Sequence, residues 1–420
     1  MKRGIIGVVA CAAAVTLAVP ALAIDFSGYG AVRVGTYWTQ NQYYNARTAA
    51  TAPGARRSDS DFSLDLMGDS LVGIRAKEGD FSAVAEIGAY NPKAESKGPE
   101  VRLLFGEWDF GNGKLRVGKA PSPYVYRTQM AWDSDGGMNA YGSLWDGRYA
   151  QIKLTMNNGF YFTLMQPRTG GAANFTSNVT APNDTLAEFG QTGTAYSTTY
   201  VNYNTVMPKI VTGYEGKLGS WTYGGGVSYN MYQVERTTAI GAATTVPLTK
   251  ADIHSYLVFF HGKVDLSPVE FSYNIFTGRN LGDLMSSAAS AYVTSGGSTG
   301  YNAYSGLPGT FISNVTGGTG TGAYYDVAND ANAYTYGGWG QIGYTVSPKL
   351  KIYAGASFVS DDNRVTRSDD RLAVFANAQY QVSRNFKIVP EIGFLNDMYN
   401  TVGNKEPRTL FAGAKWEMTF

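Results

Sequence analysis

The chain has 420 residues, with 34 Lys and Arg against 33 Asp and Glu and a formal net charge of +1; it holds 51 Gly, 30 Tyr, 20 Phe, 7 Trp and a single cysteine. So even a balance leaves no basic stripe for nucleic acid, and one cysteine permits no intrachain disulfide, CxxC zinc site or haem-attachment motif. After residue 23 no segment is continuously apolar over the ~20 residues that a membrane helix needs.

At the amino end, Lys2 and Arg3 precede an apolar stretch from Gly4 to Val19, and Ala21-Leu22-Ala23 follows as a small-x-small site. This pattern predicts a cleaved secretory signal peptide over 1–23 and a mature start at Ile24. Val8-Val9-Ala10-Cys11 superficially resembles a lipoprotein box, but few residues precede the cysteine and the apolar run continues past it. Cleavage removes Lys2, Arg3 and Cys11, which leaves a cysteine-free chain of net charge −1.

From Ile24 onward the chain alternates apolar and polar residues in short runs, the period of a half-buried strand. The first run, about 25–39, sets Val32, Val34 and Trp38 against Tyr29, Arg33 and Tyr37. The second, about 61–77, sets Phe62, Leu64, Leu66, Val72, Ile74 and Ala76 against Ser63, Asp65, Asp69, Arg75 and Lys77. A turn at Glu78-Gly79-Asp80 leads into a third around Phe81 to Ile87. Further strands are predicted near 100–110, 114–120, 147–156, 160–167, 207–217, 221–235, 251–264, 269–277, 334–346, 350–359, 371–382, 386–396 and 408–420. In the fourth, Glu107, Trp108, Asp109 and Phe110 do not separate by face, and 168–206 and 278–333 have room for further strands.

Short turns such as Gly111-Asn112-Gly113, Asn157-Asn158-Gly159, Leu218-Gly219-Ser220 and Ser347-Pro348-Lys349 suit hairpins. They alternate with longer polar segments. Seven short turns facing eight longer loops around about sixteen strands predict an all-β transmembrane antiparallel β-barrel, with short periplasmic turns and long extracellular loops. The expected organisation is one barrel domain over 24–420. A secreted sandwich or propeller is the soluble alternative.

In the last strand Leu410, Ala412, Ala414, Trp416, Met418 and Phe420 share one face, and Thr409, Gly413, Lys415, Glu417 and Thr419 the other. This ending resembles the carboxyl-terminal signature of Gram-negative outer-membrane proteins. The resemblance implies that Trp416, Met418 and Phe420 act as an assembly signal read by the barrel-assembly machinery, with periplasmic chaperones on the way and lipid and lipopolysaccharide around the product.

As a whole the chain resembles a general Gram-negative porin of the sixteen-stranded type. The cysteine-free, Gly- and Tyr-rich composition is similar to porins of δ-proteobacterial metal reducers. The family resemblance implies a homotrimer and a third extracellular loop folded into the lumen. That loop falls at about 121–146 and carries Asp133, Asp135 and Asp146 among aromatics. Alternation places Arg33, Arg75, Arg102 and Arg116 on the luminal side of strands one, two, four and five. Acids on the loop facing arginines on the wall would set a transverse field at the pore constriction. Their luminal companions are Lys77, Lys153, Lys209, Lys351, Arg371, Lys387 and Lys415 against Asp65, Asp69, Glu86, Glu215, Glu270, Glu391 and Glu417. The excess is slightly positive, so the expected ion selectivity is weak and leans anionic.

Catalytic and metal chemistry is not expected. His254 and His261 are the only histidines, and an odd separation puts them on opposite faces of a strand. Asp133-x-Asp135-Gly136 lacks the rest of a calcium loop. No cofactor is implied. The first expectation for function is a porin for passive diffusion of small hydrophilic solutes and ions. The alternatives are a barrel sheathing a multihaem cytochrome in an electron conduit, favoured by an open lumen, or a substrate-specific channel. Tyr29, Tyr37, Tyr90, Tyr149 and Tyr161 are the candidates for an aromatic track in the last case.

Overall fold

The computed structural model describes residues 24–43, 57–89, 99–132, 137, 138, 141–167, 174–177, 197–240, 244–284, 332–362, 368–399, 405 and 407–420. Residues 1–23, and with them the signal-peptide reading, lie outside these, as do Tyr90, Asp133 and Asp135.

The described residues form one antiparallel sheet of nineteen strand segments. In chain order these are β1 (Asp25–Tyr43), β2 (Arg57–Leu66), β3 (Leu71–Glu78), β4 (Phe81–Gly88), β5 (Glu100–Asp109), β6 (Gly113–Pro121), β7 (Arg148–Met156), β8 (Phe160–Met165), β9 (Asn174–Ser177) and β10 (Ser197–Thr205). They continue as β11 (Lys209–Leu218), β12 (Trp221–Ile240), β13 (Thr244–Leu266), β14 (Val269–Arg279), β15 (Tyr334–Ser347), β16 (Leu350–Asp362), β17 (Asp369–Ser383), β18 (Phe386–Tyr399) and β19 (Arg408–Thr419). Three barrel strands are interrupted. β2 and β3 pair with successive parts of β1, β10 and β11 with successive parts of β12, and β9 and β8 with β10 and β11. Each interrupted pair is one wall strand, so the barrel has sixteen. The described residues of the segment 168–206 therefore lengthen two predicted strands and add none.

Pairing of β1 with β19, from Ala31↔Thr419 to Gln42↔Arg408, closes the sheet and removes both edges. Gly30 and Phe420 extend this ladder by two backbone hydrogen bonds, 2.9 and 3.1 Å. A Cβ on Gly30 would stand 2.3 Å from the Phe420 ring, so glycine is what lets the last side chain lie flat on the first strand.

Alternation sorts the side chains as the hydrophobic pattern requires. Phe62, Leu64, Val72, Leu104, Val117, Ile275, Ile342 and Ile392 point outward and are largely exposed; Leu64 reaches 68 %. A continuous exposed apolar belt of this kind is stable against lipid. Aromatics cluster on the outer wall beside the short turns: Phe81 on Trp108, Trp221 on Tyr223 and Phe386 on Trp416. That is the place of an interfacial girdle. The short turns themselves rest on glycine. Gly79, Gly111, Gly159 and Gly219 all have positive φ, which a side chain would resist.

β5, ambiguous in the sequence at Glu107 to Phe110, carries a bulge near its start. Glu86 pairs with Leu103 and Ile87 with Val101, so Arg102 is passed over and turns inward. Beyond it Leu104 and Trp108 face outward, while Glu107 bonds the luminal Arg116.

Candidate functional site: the lumen and its inward loop

The buried side chains of this barrel lie inside it, where the described residues of the third loop (122–132, 137, 138 and 141–147) fold back into the lumen and pack on the wall. One end of the loop is tied by charge. Asp146 and Lys209 are fully buried and 2.6 Å apart. The Asp146 carboxylate also accepts from Tyr124 Oη at 2.6 Å and Ser122 Oγ at 3.1 Å. An ion pair removed from water holds only when its remaining lone pairs are satisfied in this way. Burial beside Asp146 pushes the Tyr124 hydroxyl well above its ordinary pKa, so it stays a donor. Tyr124 packs with Leu144, Phe259, Phe276 and Leu281 in the first of two apolar clusters.

From this anchor the loop crosses the barrel. The Tyr126 ring lies between His261, 4.4 Å away, and Trp339, 5.6 Å away, nearly parallel to both. The Gln129 amide donates to Gln341 on β15, and its carbonyl accepts from Asn377 on β17. The tip is then held by one carboxylate. Glu391 on β18 accepts from the successive backbone amides of Ala131 and Trp132, at 2.6 and 2.7 Å, and from Asn377 at 2.8 Å. Trp132 stacks on Phe411 of β19 at 4.9 Å. On the return, the Tyr141 hydroxyl donates to Asp397 at 2.6 Å. The loop thus leaves the wall between β6 and β7 and reaches the strands that close the barrel.

The other wall, β1 to β6, is charged. Arg33 pairs with Glu417 and Asp69, and Glu417 also pairs with Lys387 at 3.0 Å. Arg102 meets Glu86 at 2.8 Å, and Glu86 also accepts from the Tyr29 hydroxyl. The Arg75 guanidinium lies 4.3 Å over the Tyr29 ring. Arg116 makes two bonds to Glu107, 3.0 and 2.8 Å, and lies across the sheet from Lys153.

The four arginines predicted to line the lumen therefore do share one wall. Each of Arg33, Arg102 and Arg116 has a carboxylate on that same wall. Asp146 does not stand opposite them: it is spent on Lys209 at the loop's anchor. Asp133 and Asp135 belong to the stretch outside the described residues. Two decisive groups carry no local signal: Lys209 and Glu391 are legible as luminal charges, but only the folded loop reveals that they hold it.

His261 is luminal under Tyr126, whereas His254 is bonded to Tyr229 on the outer face at 2.8 Å. No group of three or more metal-type ligands occurs among the described residues. Trp416 and Met418 face outward with Phe420, and the Trp416 indole donates to Thr36 at 2.9 Å.

No family model matches the sequence. No curated protein matches it either. Solved structures do resemble it. The outer-membrane channel DcaP of Acinetobacter baumannii superposes with a TM-score of 0.54 at 10 % identity, over 94 % of this chain and 97 % of that one. OmpF of Salmonella typhi, in complex with daunomycin, gives 0.52 at 13 % identity, over 94 % and 97 %. A loop-L8 deletion mutant of the outer-membrane protein OmpT of Vibrio cholerae gives 0.51 at 14 % identity, over 94 % and 99 %. What the chain shares with these proteins is the fold: an all-β, closed, antiparallel barrel of sixteen strands, as in Gram-negative outer-membrane porins.

Proposed function

We propose that the protein is an outer-membrane porin, a water-filled channel for passive diffusion of small hydrophilic solutes and ions. The observation that carries this reading is the inward loop. It is bonded across the lumen to β15, β17 and β18 and leaves the charged wall of β1 to β6 as the polar lining of the path. A barrel narrowed by a fixed loop sieves by size, and the wall charges bias which ions pass. The same loop takes the space that a sheathed cytochrome would need, which favours the channel over the conduit scaffold.

A homotrimer and assembly through Trp416, Met418 and Phe420 follow from the family resemblance, and a metal-reducer origin from composition alone. A cleaved signal peptide over 1–23 rests on the basic, apolar and small-residue pattern of that segment. The separation of the two histidines to opposite faces supports a channel without enzymatic activity.

Planar-bilayer recording of the purified, refolded protein in a salt gradient tests the channel. Large ohmic steps, grouped in threes for a trimer, are expected. A folded, heat-modifiable barrel that gives no steps overturns the reading.

A further inference from the structure

The second barrel strand is interrupted between β2 and β3, and the interruption is built rather than frayed. Val34 pairs with Leu66 and Ala31 with Leu71, so Val32 and Arg33 of β1 face the four residues Met67, Gly68, Asp69 and Ser70. Two residues are surplus. An even surplus leaves the faces of the strand unchanged: Leu66 and Val72, on either side, both point outward. The wall is therefore complete without the extra pair.

The surplus goes into the lumen. Met67, Asp69 and Ser70 are buried between outward, exposed neighbours. The turn closes on itself from Ser70 N to Met67 O at 3.0 Å, and β1 holds it from Met67 N to Arg33 O at 2.8 Å. Two inward guanidinium groups grip its successive carbonyls. Arg33 donates to Asp69 O, and Arg102 to Gly68 O at 3.0 Å. Arg102 comes from the bulge in β5 and passes over Gly88 of β4 to arrive there. A Cβ at Gly88 would stand 2.1 Å from Arg102 Cδ and 2.9 Å from Ser70 O. A bulge, a bare glycine and a turn on three neighbouring strands thus serve one contact. Met67 and Tyr37 both lie over Gly35, and Tyr37 belongs to the aromatic cluster on which the third loop's tip rests.

We propose that residues 67–70 are a second constriction element, continuing the inward loop onto the charged wall, with Arg33 and Arg102 as the positioning residues that hold it. On this account these two arginines act on pore width through the turn as well as on passing charge. The inference rests on the channel reading.

The test is single-channel conductance and the size limit for neutral polyethylene glycols, measured on the refolded full chain. Deleting Gly68 and Asp69 joins β2 to β3 in register. It is expected to raise conductance about 1.5-fold and to admit larger polymers. Arg102→Gln, too short to span Gly88, is expected to move both readouts the same way by less, measured in symmetric 1 M salt, where a Debye length of about 3 Å screens the lost charge. A deletion variant that folds and matches the parent in both readouts overturns the proposal. If the deletion does not fold, Met67→Ala trims the turn's lip without altering its backbone, and an unchanged polymer limit in that variant overturns it equally. A parent protein that forms no channel sinks the porin reading itself, which is a different outcome from a conducting parent indifferent to the turn.

Discussion

The two walls of the lumen use charge for opposite purposes. Under the inward loop, β11 to β18 supply Lys209, Glu391 and Asp397, each matched to a loop group: Asp146, the Ala131 and Trp132 amides, and Tyr141. Around them sit Tyr124, Phe259, Trp339, Phe375 and Phe411, as in a soluble core. Across the lumen, Arg33, Arg102 and Arg116 meet Glu417, Glu86 and Glu107, and Arg75 lies over the Tyr29 ring. The first wall holds a piece of chain still, and the second is left to meet water and solute. A luminal charge is thus not automatically a selectivity residue. Its role depends on whether the loop lies over it.

The comparison breaks most visibly at the anchor. Asp146→Ala leaves the Lys209 ammonium buried without its carboxylate, a change that costs about 3–5 kcal/mol in buried pairs of this kind. The expected outcome is a clear fall in the temperature at which the folded form is lost in heat-modifiability gels, with larger and noisier conductance from the freed loop. The double variant Asp146→Ala with Lys209→Met removes both charges and should recover much of the stability. No recovery would mean that the pair is not what ties the loop.

At the tip, Glu391→Gln keeps the shape but removes the charge that two backbone amides and Asn377 share. Bonds to a charged acceptor contribute roughly 1.5–3 kcal/mol, so a loss within that range is expected. The readout is open-channel noise from a loosened tip, with reversal potential unchanged because Glu391 lies under the loop. A clear shift in reversal potential would place Glu391 in the ion path and contradict the division between the walls.

The barrel itself was legible because its rule is local. Period-two alternation identified Phe62, Leu64 and Leu66 as outward, and glycine turns marked the hairpins, so the order of the strands and a count of about sixteen follow from neighbouring residues, with 168–206 and 278–333 left open. The histidine faces follow from the same parity. In β5 the rule breaks near the start of the strand, whereas Leu104 to Trp108 alternate regularly. At the bulge Arg102 and Leu103 both turn inward, and no alternation pattern announces a missing pair. The loop contacts are a harder case. Asp146 meets a lysine 63 positions on, and Trp132 meets a glutamate 259 positions on. Parity marked Lys209 and Glu391 as inward, but which inward charge meets the loop depends on the closed barrel. Asp146 illustrates the cost: among loop acids it reads as pore-facing, and only burial distinguishes it. The turn at 67–70 was silent for the opposite reason, since an even insertion leaves the alternation on both sides intact.

The smallest structural effect and the cleanest functional one are expected from Arg116→Ala on the charged wall. Arg116 is about a third exposed, with 31 % of its side chain open, and its pair with Glu107 is worth roughly 0.2–1 kcal/mol once solvent screening is allowed for. The folded form should therefore lose its heat resistance at nearly the parent temperature. Its charge is a different matter. Arg116 lies directly across the sheet from Lys153, and removing it leaves Glu107 with Lys114 at 3.6 Å. The wall loses one positive charge beside the path, so the reversal potential should move toward cations, most strongly at low salt where the Debye length is long. Glu107→Gln should move it toward anions by a similar amount. If both variants leave the reversal potential where it was while Glu391→Gln shifts it, ions travel along the loop-covered wall, and the assignment of the two walls is reversed.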